Sequence, residues 1–257
     1  MCLVLLLHDA HPQYRLILAA NRDEFYDRPT SAAAFWTDTP TVLAGRDLRA
    51  GGSWLGIDRR GRFAAVTNYR QGQREAAASR SRGFLVSEFL TGNTEPEAYL
   101  DRVAREAALY NGFNLLVGDG VEVAYFSNRE GVARPLTPGL YGLSNHLLDT
   151  PWPKVTSAKL ALSSLSGDAT GSRLVAELFG LLADRSRPAE HLLPETGITR
   201  EWERLLSSAF IASPDYGTRS STVVLLSRDE RVTFVERSFG TDGVPGGEVT
   251  YDFSRHR

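Results

Sequence analysis

Residues 1–25, MCLVLLLHDAHPQYRLILAANRDEF, contain two apolar runs that are joined by a short polar segment. Cys2 to Leu7 is the first run, Arg15 to Ala20 is the second, and the polar loop His8 to Tyr14 lies between them. Continuous apolar runs of this length are typical of strands that are covered on both faces. The sequence therefore predicts a sheet that begins at residue 2.

The rest of the chain predicts hairpins separated by groups of helices. Further strands are expected at 53–57, 62–68, 114–127 (a hairpin), 140–144, 222–226 and 231–238, and helices at 82–90, 96–109 and within 152–208. Hairpins without regular βαβ alternation favour an α+β fold with antiparallel sheets. Because no internal repeat or low-complexity linker divides the chain, we expect a single domain spanning residues 1–257.

The composition is that of an ordinary globular protein. Of the 257 residues, 42% are hydrophobic and 23% are charged, with a formal net charge of -2. Acids outnumber bases and no long basic run occurs, so we expect no nucleic acid partner. Lys154 and Lys159 are the only lysines beside many arginines. We interpret this bias as the codon usage of a bacterial genome.

The cysteine count and the hydropathy limit the cellular compartments in which the protein is expected. One cysteine forms no internal disulfide and excludes a zinc site built mainly from cysteines. The apolar run after Cys2 is too short for a signal-peptide core, and no stretch approaches the roughly 20 apolar residues that span a bilayer. We therefore predict a cytoplasmic protein with no membrane span, no metal and no cofactor.

Cys2 has three interpretations: a small buried strand residue, a lipid attachment site, or a nucleophile that becomes the N-terminus when Met1 is removed. A catalytic thiol needs a base, and a free α-amino group with a pKa of about 7.7–8.0 supplies one without a histidine. A single lipid chain without a polybasic patch anchors a protein only marginally, which disfavours lipidation.

Four polar residues, Asn21 to Glu24 (NRDE), end the second strand. Strand alternation puts Arg22 and Glu24 on one face and Asn21 and Asp23 on the other. If the first two strands are neighbours, one of these pairs lies beside Cys2. A structural ion-pair network would look the same in sequence.

Polar residues at other strand ends are equally ambiguous. Asn68 and Asn145 are either turn residues or donors to an oxyanion. Arg219, in the polar stretch Gly217 to Ser221 that we interpret as a loop, is either solvated or a ligand for an anionic group. His146 allows a Cys-His-Asn hydrolase, although such nucleophiles usually lie at a helix N-terminus. The remaining histidines, His8, His11, His191 and His256, are expected at the surface.

Several short motifs occur together in a fixed order along nearly the whole chain. They are MC (1–2), NRDEF (21–25), GGSWLG (51–56), TNYR (67–70), LSN (143–145) and YGTRSS (216–221). In these the sequence resembles the NRDE family, also called the transport and Golgi organisation protein 2 family. It is more distantly similar to N-terminal nucleophile hydrolases of the cholylglycine hydrolase and penicillin V acylase type. The resemblance implies a four-layered αββα sandwich of two antiparallel sheets.

The same resemblance implies roles for individual residues. Cys2 would attack a carbonyl, and the backbone amide of Asn68 and the side chain of Asn145 would hold the oxyanion. The hydrolases carry Arg-Asn-x-Asp on the second strand, so an ungapped alignment puts Asn21 at the arginine and Glu24 at the aspartate. We predict Arg22 and Glu24 as partners of Cys2, with Asp23 as the alternative. Substrate contacts are predicted for Asn21, Trp54, His146 and Arg219.

Two functions follow from this resemblance. The first is a cysteine amidohydrolase or acyl-transfer enzyme that acts on a small acylated molecule. The second is a binding or carrier protein that holds a hydrophobic ligand, haem or a lipid, in the same cleft.

Overall fold

The first two strands are buried on both faces. In the computed structural model, which describes residues 2–72, 78–165 and 169–256, β1 (Cys2–His8) pairs antiparallel with β2 (Tyr14–Phe25). Val4 and Leu6 pack on one side, between two sheets, whereas Leu3 packs on the other side against helices. The unbroken apolar run of β1 is the consequence of this double burial.

Eleven further strands and five α-helices are present in the described part of the chain. The strands are β3 (Thr30–Phe35), β4 (Val42–Asp47), β5 (Leu55–Asp58), β6 (Phe63–Asn68), β7 (Phe113–Gly118), β8 (Val123–Ser127), β9 (Arg134–Pro135), β10 (Gly139–Leu143), β11 (Tyr216–Ser227), β12 (Arg231–Phe239) and β13 (Pro245–Ser254). The helices are α1 (Gly83–Thr91), α2 (Pro96–Arg105), α3 (Pro153–Ser163), α4 (Gly171–Leu182) and α5 (Arg200–Leu205), with 3-10 turns at Ala107–Leu109, Glu190–Leu192 and Thr241–Gly243.

The strands form two antiparallel sheets that stack face to face. The first sheet has the order β10-β1-β2-β11-β12-β13, and the second has the order β3-β4-β5-β6-β7-β8-β9. Helices α3 and α4 pack on the outer face of the first sheet, and α1 and α2 pack on the outer face of the second. The predicted four-layered αββα sandwich of an α+β protein is therefore confirmed, and β1 and β2 lie inside it.

The stretch Gly217 to Ser221 is a strand, and its prediction as a loop was wrong. It begins β11, where Thr218 pairs with Asp23 and Ser220 pairs with Arg22, with a bulge between the two pairs. The prediction relied on apolar runs, and the side chains of this stretch are mostly polar. The strand forms nevertheless, because its backbone hydrogen bonds to β2 do not require apolar side chains.

Other expectations from the sequence were also wrong. His8 and His11 are buried, with 7% and 8% of their surface exposed, although both were expected at the surface. The predicted helix 96–109 is α2 followed by a separate 3-10 turn. Strands β3, β4, β9 and β13 were not predicted. Three of them, β3, β9 and β13, lie at sheet edges, where few residues are buried.

Candidate active site

The start of β1 is held by the segment that follows β10. Cys2 is half-buried at this position. Its backbone N–H donates to Asn145 Oδ1 at 3.3 Å, and its carbonyl accepts from Ser144 Oγ at 2.9 Å. Because β10 pairs with β1, residues 144–145 arrive beside Cys2 as a direct consequence of the sheet order. Both backbone polar groups of Cys2 are thus fixed.

Asn145 connects Cys2 to the second sheet. It is fully buried, and its Nδ2 donates to the carbonyl of Asn68 at the end of β6, at 2.9 Å. The backbone carbonyl of Asn145 accepts from the N–H of Arg70 at 2.7 Å. A carboxamide nitrogen carries two hydrogens, and one of them is directed to Asn68. Asn145 is therefore hydrogen-bonded to both Cys2 and Asn68. These are the three residues that were expected to perform and support the attack.

A cavity of about 120 Å³ opens beside Cys2. Its lining includes residues from β1, β2, β4, the 51–56 motif, β6 and the start of α1. The residues are Cys2, Arg22, Asp23, Glu24, Arg28, Asp47, Ser53, Trp54, Val66, Asn68, Ser81, Arg82 and Gly83. Charged and polar side chains dominate this lining, so the cavity suits a polar reacting group.

Arg22 lies opposite Cys2 and faces the second sheet. The two residues are register partners in the antiparallel pair, so their side chains share a face. The guanidinium lies 4.2 Å from the ring centroid of Trp54 and donates to Thr30 Oγ1 at 3.2 Å. Burial lowers the pKa of Arg22, and the negative charges of Glu24 and Cys2 oppose that shift. An arginine stays charged in a protein, so Arg22 presents a cation to the thiol.

The two acids of the motif have different surroundings. Asp23 is 1% exposed and accepts from Thr218 Oγ1 at 2.8 Å. Burial raises the pKa of Asp23, whereas the positive charge of Lys154 lowers it. Glu24 accepts from the N–H of Phe25 at 2.9 Å and lies 3.8 Å from the guanidinium of Arg28. Glu24 is therefore engaged at the rim, and Asp23 is enclosed behind the strand.

Similarity to known proteins identifies the family of this chain. Residues 1–241 match the family described as Transport and Golgi organisation 2. The chain belongs to this family. A bovine relative, a Transport and Golgi organization protein 2 homolog, is 43% identical over 278 residues, covering 98% of this chain and 99% of its own length. The human homolog is 41% identical over 277 residues, covering 99% of both chains.

These relatives confirm the family that the motifs indicated, but their animal origin gives no support to the bacterial interpretation of the arginine bias. A solved structure, the Caenorhabditis elegans ortholog of N-acylethanolamine-hydrolyzing acid amidase, matches with a TM-score of 0.51 and 12% sequence identity. The match covers 87% of this chain and 92% of that chain. At this identity the likeness shows a shared fold, the one that the resemblance implied.

Of the four residues predicted to contact substrate, Trp54 lines the Cys2 cavity, whereas Asn21, His146 and Arg219 do not. Asn21 lies on the opposite face of β2, where its Nδ2 donates to the carbonyls of Leu182 and Ala209, each at 2.8 Å. Its Oδ1 accepts from Ser221 Oγ at 2.6 Å. The whole carboxamide of Asn21 is thus used to join β2 and β11 to the helical layer.

His146 and Arg219 also lie outside the lining of the Cys2 cavity. His146 Nε2 is 2.7 Å from Tyr69 Oη, and its Nδ1 is 2.9 Å from Thr150 Oγ1, so both ring nitrogens are engaged. Burial lowers the pKa of His146. Arg219 donates to the carbonyl of Phe25 at 2.8 Å and lines a neighbouring cavity of about 90 Å³. Arg22 and Trp54 line both cavities.

Sequence reasoning missed a buried charge cluster behind Cys2. Arg70 and Glu203 form an ion pair with 2.5 Å between Nη1 and Oε2, with both side chains at most 3% exposed. Lys154 lies nearby and is also buried. Arg70 belongs to the TNYR motif, which was a usable signal, whereas nothing in the local sequence distinguishes Glu203 in its helix.

The part of the chain that the structure describes, residues 2–72, 78–165 and 169–256, holds neither a metal-binding cluster nor a membrane-spanning helix. Within these ranges there is no group of three or more histidine, cysteine, aspartate or glutamate residues that could hold a metal ion. No helix within them is long and apolar enough to cross a membrane. Met1 lies outside the described residues, so its removal remains a prediction.

Proposed function

We propose that this protein is a cytoplasmic N-terminal-cysteine hydrolase that cleaves the amide bond of a small acylated molecule. One observation carries the proposal: Asn145 bridges the backbone nitrogen of Cys2 and the carbonyl of Asn68 beside a polar cavity. The nitrogen of Cys2 would become a free amine on removal of Met1. A reducing compartment, as in the cytoplasm, keeps such a thiol in its reactive form.

The first step is attack by Cys2. Its own amino group takes the thiol proton, and the sulfur forms a bond to the carbonyl carbon of the substrate. The positive charge of Arg22 on the same face favours the thiolate. The carbonyl π electrons move to the oxygen, which becomes an oxyanion.

Asn145 supports the next stage. One hydrogen of Nδ2 binds the carbonyl of Asn68, which fixes the carboxamide and leaves the second hydrogen for the oxyanion. A donor that is fixed beforehand is the effective kind, because nothing reorganises as charge develops. The C–N bond then breaks, and the proton held by the Cys2 amine goes to the leaving nitrogen.

Hydrolysis completes the cycle. A water molecule loses a proton to the amine of Cys2 and attacks the thioester, and the sulfur leaves as the thiol after taking that proton back. The products are a carboxylic acid and an amine, with no oxidant or cofactor consumed.

The alternative function, a carrier of haem or a lipid in the same cleft, has less support. Ligand pockets for such molecules usually measure about 300–1,000 Å³ and are mostly apolar. The Cys2 cavity is about 120 Å³ and is lined mainly by charged and polar residues. A hydrophobic carrier would need this cleft to open widely.

The deciding experiment is the intact mass of the untagged protein, before and after a limiting dose of a thiol alkylating reagent near neutral pH. We expect loss of Met1 and rapid single alkylation, which occurs at Cys2 because the chain has one cysteine. A screen of N-acyl amides would follow, with Cys2→Ala as the inactive control. Retained Met1, or full turnover by Cys2→Ala, would overturn the proposal.

A further inference from the structure

A lysine is buried where local physics disfavours a cation. Lys154 follows Pro153 in the first turn of α3 and is 6% exposed. A positive charge near a helix N-terminus interacts unfavourably with the helix dipole. Burial away from water adds a further cost, and lysines are almost never fully buried unless paired. Such a local conflict is expected where a residue has a function rather than a stabilising role.

The choice of lysine at this position is itself informative. The chain uses arginine for nearly all of its 29 basic residues, and Lys154 and Lys159 are the exceptions. Lys159 lies on the same helix, partly exposed, 2.5 Å from Asp149. Unlike a guanidinium, a buried ammonium shifts its pKa readily and can release its proton. The ionisation of Lys154 is therefore sensitive to the charges around it.

Packing brings Lys154 and Asp23 into one buried neighbourhood. The amine of Lys154 donates to the carbonyl of Leu206, the C-cap residue of α5, at 3.0 Å. Leu206 packs in one cluster with Tyr216, whose hydroxyl donates to the carbonyl of Asp23 at 3.1 Å.

Desolvation lowers the pKa of Lys154 to about 8, and the negative charges of Asp23 on β2, Cys2 on β1 and Glu203 on α5 oppose this shift. The positive charge of Arg70 acts in the same direction as burial.

Asp23 is the main counter-charge among these groups. Glu203 is already engaged in its ion pair with Arg70 and in hydrogen bonds from the backbone N–H and the hydroxyl of Thr196. The interaction with Lys154 is among the causes that lower the pKa of Asp23, against the effect of burial. Each of the two buried groups thus favours the charged form of the other.

We propose that Lys154 is a positioning residue of the Cys2 site, whose ammonium group, behind the sheet, keeps Asp23 ionised so that this carboxylate can hold the freed amino group of Cys2. The inference rests on the proposed N-terminal nucleophile. Asp23 and Cys2 line the same cavity, whereas Lys154 does not line it. Lys154 therefore acts through Asp23 and does not touch the substrate.

The pair is tested first without reference to catalysis. Protein labelled with carbon-13 and nitrogen-15 in lysine gives signals from only two side-chain amines, which are titrated by NMR in the wild type and in Asp23→Asn. We expect Lys154 to titrate well below the usual lysine range in the wild type, and lower by about one unit in Asp23→Asn, which removes the counter-charge. Lys159 is the internal control and should not change.

An unchanged Lys154 titration in a folded Asp23→Asn protein would overturn the inference. If Asp23→Asn does not fold, the alkylation profile of Lys154→Met, described next, decides it.

The second test measures positioning through the rate of Cys2 alkylation against pH, in Lys154→Met, Lys154→Arg and the control Lys159→Met. Loss of the ammonium lets Asp23 stay protonated to higher pH, so the acid limb of the profile should move up by about one unit in Lys154→Met. Lys154→Arg keeps the charge and should restore the wild-type profile, and Lys159→Met should match it. A purely structural lysine would leave the profile of the folded Lys154→Met protein unmoved, which would overturn the inference.

The two proposals fail in distinguishable ways. Retained Met1 would overturn the hydrolase, and with it the role of the pair, while NMR would still register the coupling between Lys154 and Asp23. Loss of Met1 together with a reactive Cys2 and no such coupling would overturn the inference alone.

Discussion

At the scale of single residues, Asn145 has more roles than its neighbours in the site. Its carboxamide accepts from Cys2 and from Ser144 Oγ, both at 3.3 Å, and donates to the carbonyl of Asn68. An alanine at this position would leave Cys2 without its acceptor and, in the proposed reaction, the oxyanion without its donor.

We expect Asn145→Ala to lower the turnover of an amide substrate by about 100-fold or more, the usual loss for an oxyanion donor. Circular dichroism would check that the variant is folded. His146→Gln serves as the matched control at the next position, because His146 does not line the Cys2 cavity, and its turnover should stay within about twofold of wild type. The reverse result would favour a Cys-His-Asn hydrolase.

At the scale of strands and helices, a buried glutamate links the two sheets. Glu236 on β12 is 2% exposed, and its Oε1 accepts from the N–H of Ala33 on β3, in the opposite sheet, at 2.7 Å. Its Oε2 accepts from Thr222 Oγ1 at 3.1 Å. Burial raises the pKa of Glu236, with these hydrogen bonds opposing the shift.

The pH dependence of stability follows from that direction. A carboxyl whose pKa is higher in the folded state than in the unfolded state favours folding while it is protonated, and this advantage is lost as pH rises above about 4.5. We therefore expect the free energy of unfolding of Glu236→Gln to increase relative to that of wild type as pH rises from 4 to 8. Urea titrations at several pH values would measure it, with the exposed Glu248→Gln as control. A constant difference across this range would contradict the expectation.

The turn before β5 approaches the N-terminus of α1 closely. A Cβ added to Gly52 would lie 2.4 Å from the backbone carbon of Gly83, and the N–H of Ser53 donates to the carbonyl of Gly83 at 3.1 Å. Ser53 and Gly83 both line the Cys2 cavity. The second glycine of the GGSWLG motif therefore sets the rim of the site.

Replacing Gly52 by alanine should lower the free energy of unfolding by about 1–3 kcal/mol, because overpacking forces the turn and the helix apart. Urea unfolding followed by fluorescence would measure the change. Gly247→Ala is the control, since nothing lies within 4 Å of its added Cβ, and it should change stability by at most about 0.5 kcal/mol. Equal effects of the two variants would show that the contact is unimportant.

At the scale of the whole molecule, each sheet contributes residues to two hydrophobic cores, one on each of its faces. The core between the sheets receives alternate residues of β1 and β2, whose other faces form the core beneath α3 and α4. The core under α1 and α2 uses the outer face of β6 and β7. Because each inner strand contributes to two cores, the layers should not unfold independently.

We expect thermal or urea unfolding to be a single transition for the full chain, as the prediction of one domain requires. Far-ultraviolet circular dichroism and tryptophan fluorescence should give coincident curves. The four tryptophans, Trp36, Trp54, Trp152 and Trp202, pack in or against four different hydrophobic clusters and therefore report on different parts of the fold. Separate midpoints for the two probes would argue for more than one cooperative unit.

Much of the fold was predictable from sequence, because burial on both faces leaves an unbroken apolar run in β1 and β2. The edge strand β13 escaped prediction because none of its residues is fully buried, although Val249, Tyr251 and Phe253 alternate with exposed residues. In the site, Cys2, Asn68 and Asn145 were found from motifs. The environment of Asp23 and the buried Lys154 were not, because neighbours distant in the chain create both.

The sequence by itself determined the two apolar strands, the position of the single cysteine behind Met1 and the family, since these depend on local residue order. Only the tertiary structure decided that Asn21 serves the helical layer and that Asp23 lies behind the sheet with Lys154 near it. The physical reason is that a strand assigns its residues to alternate faces, while the elements packed against each face come from remote parts of the chain.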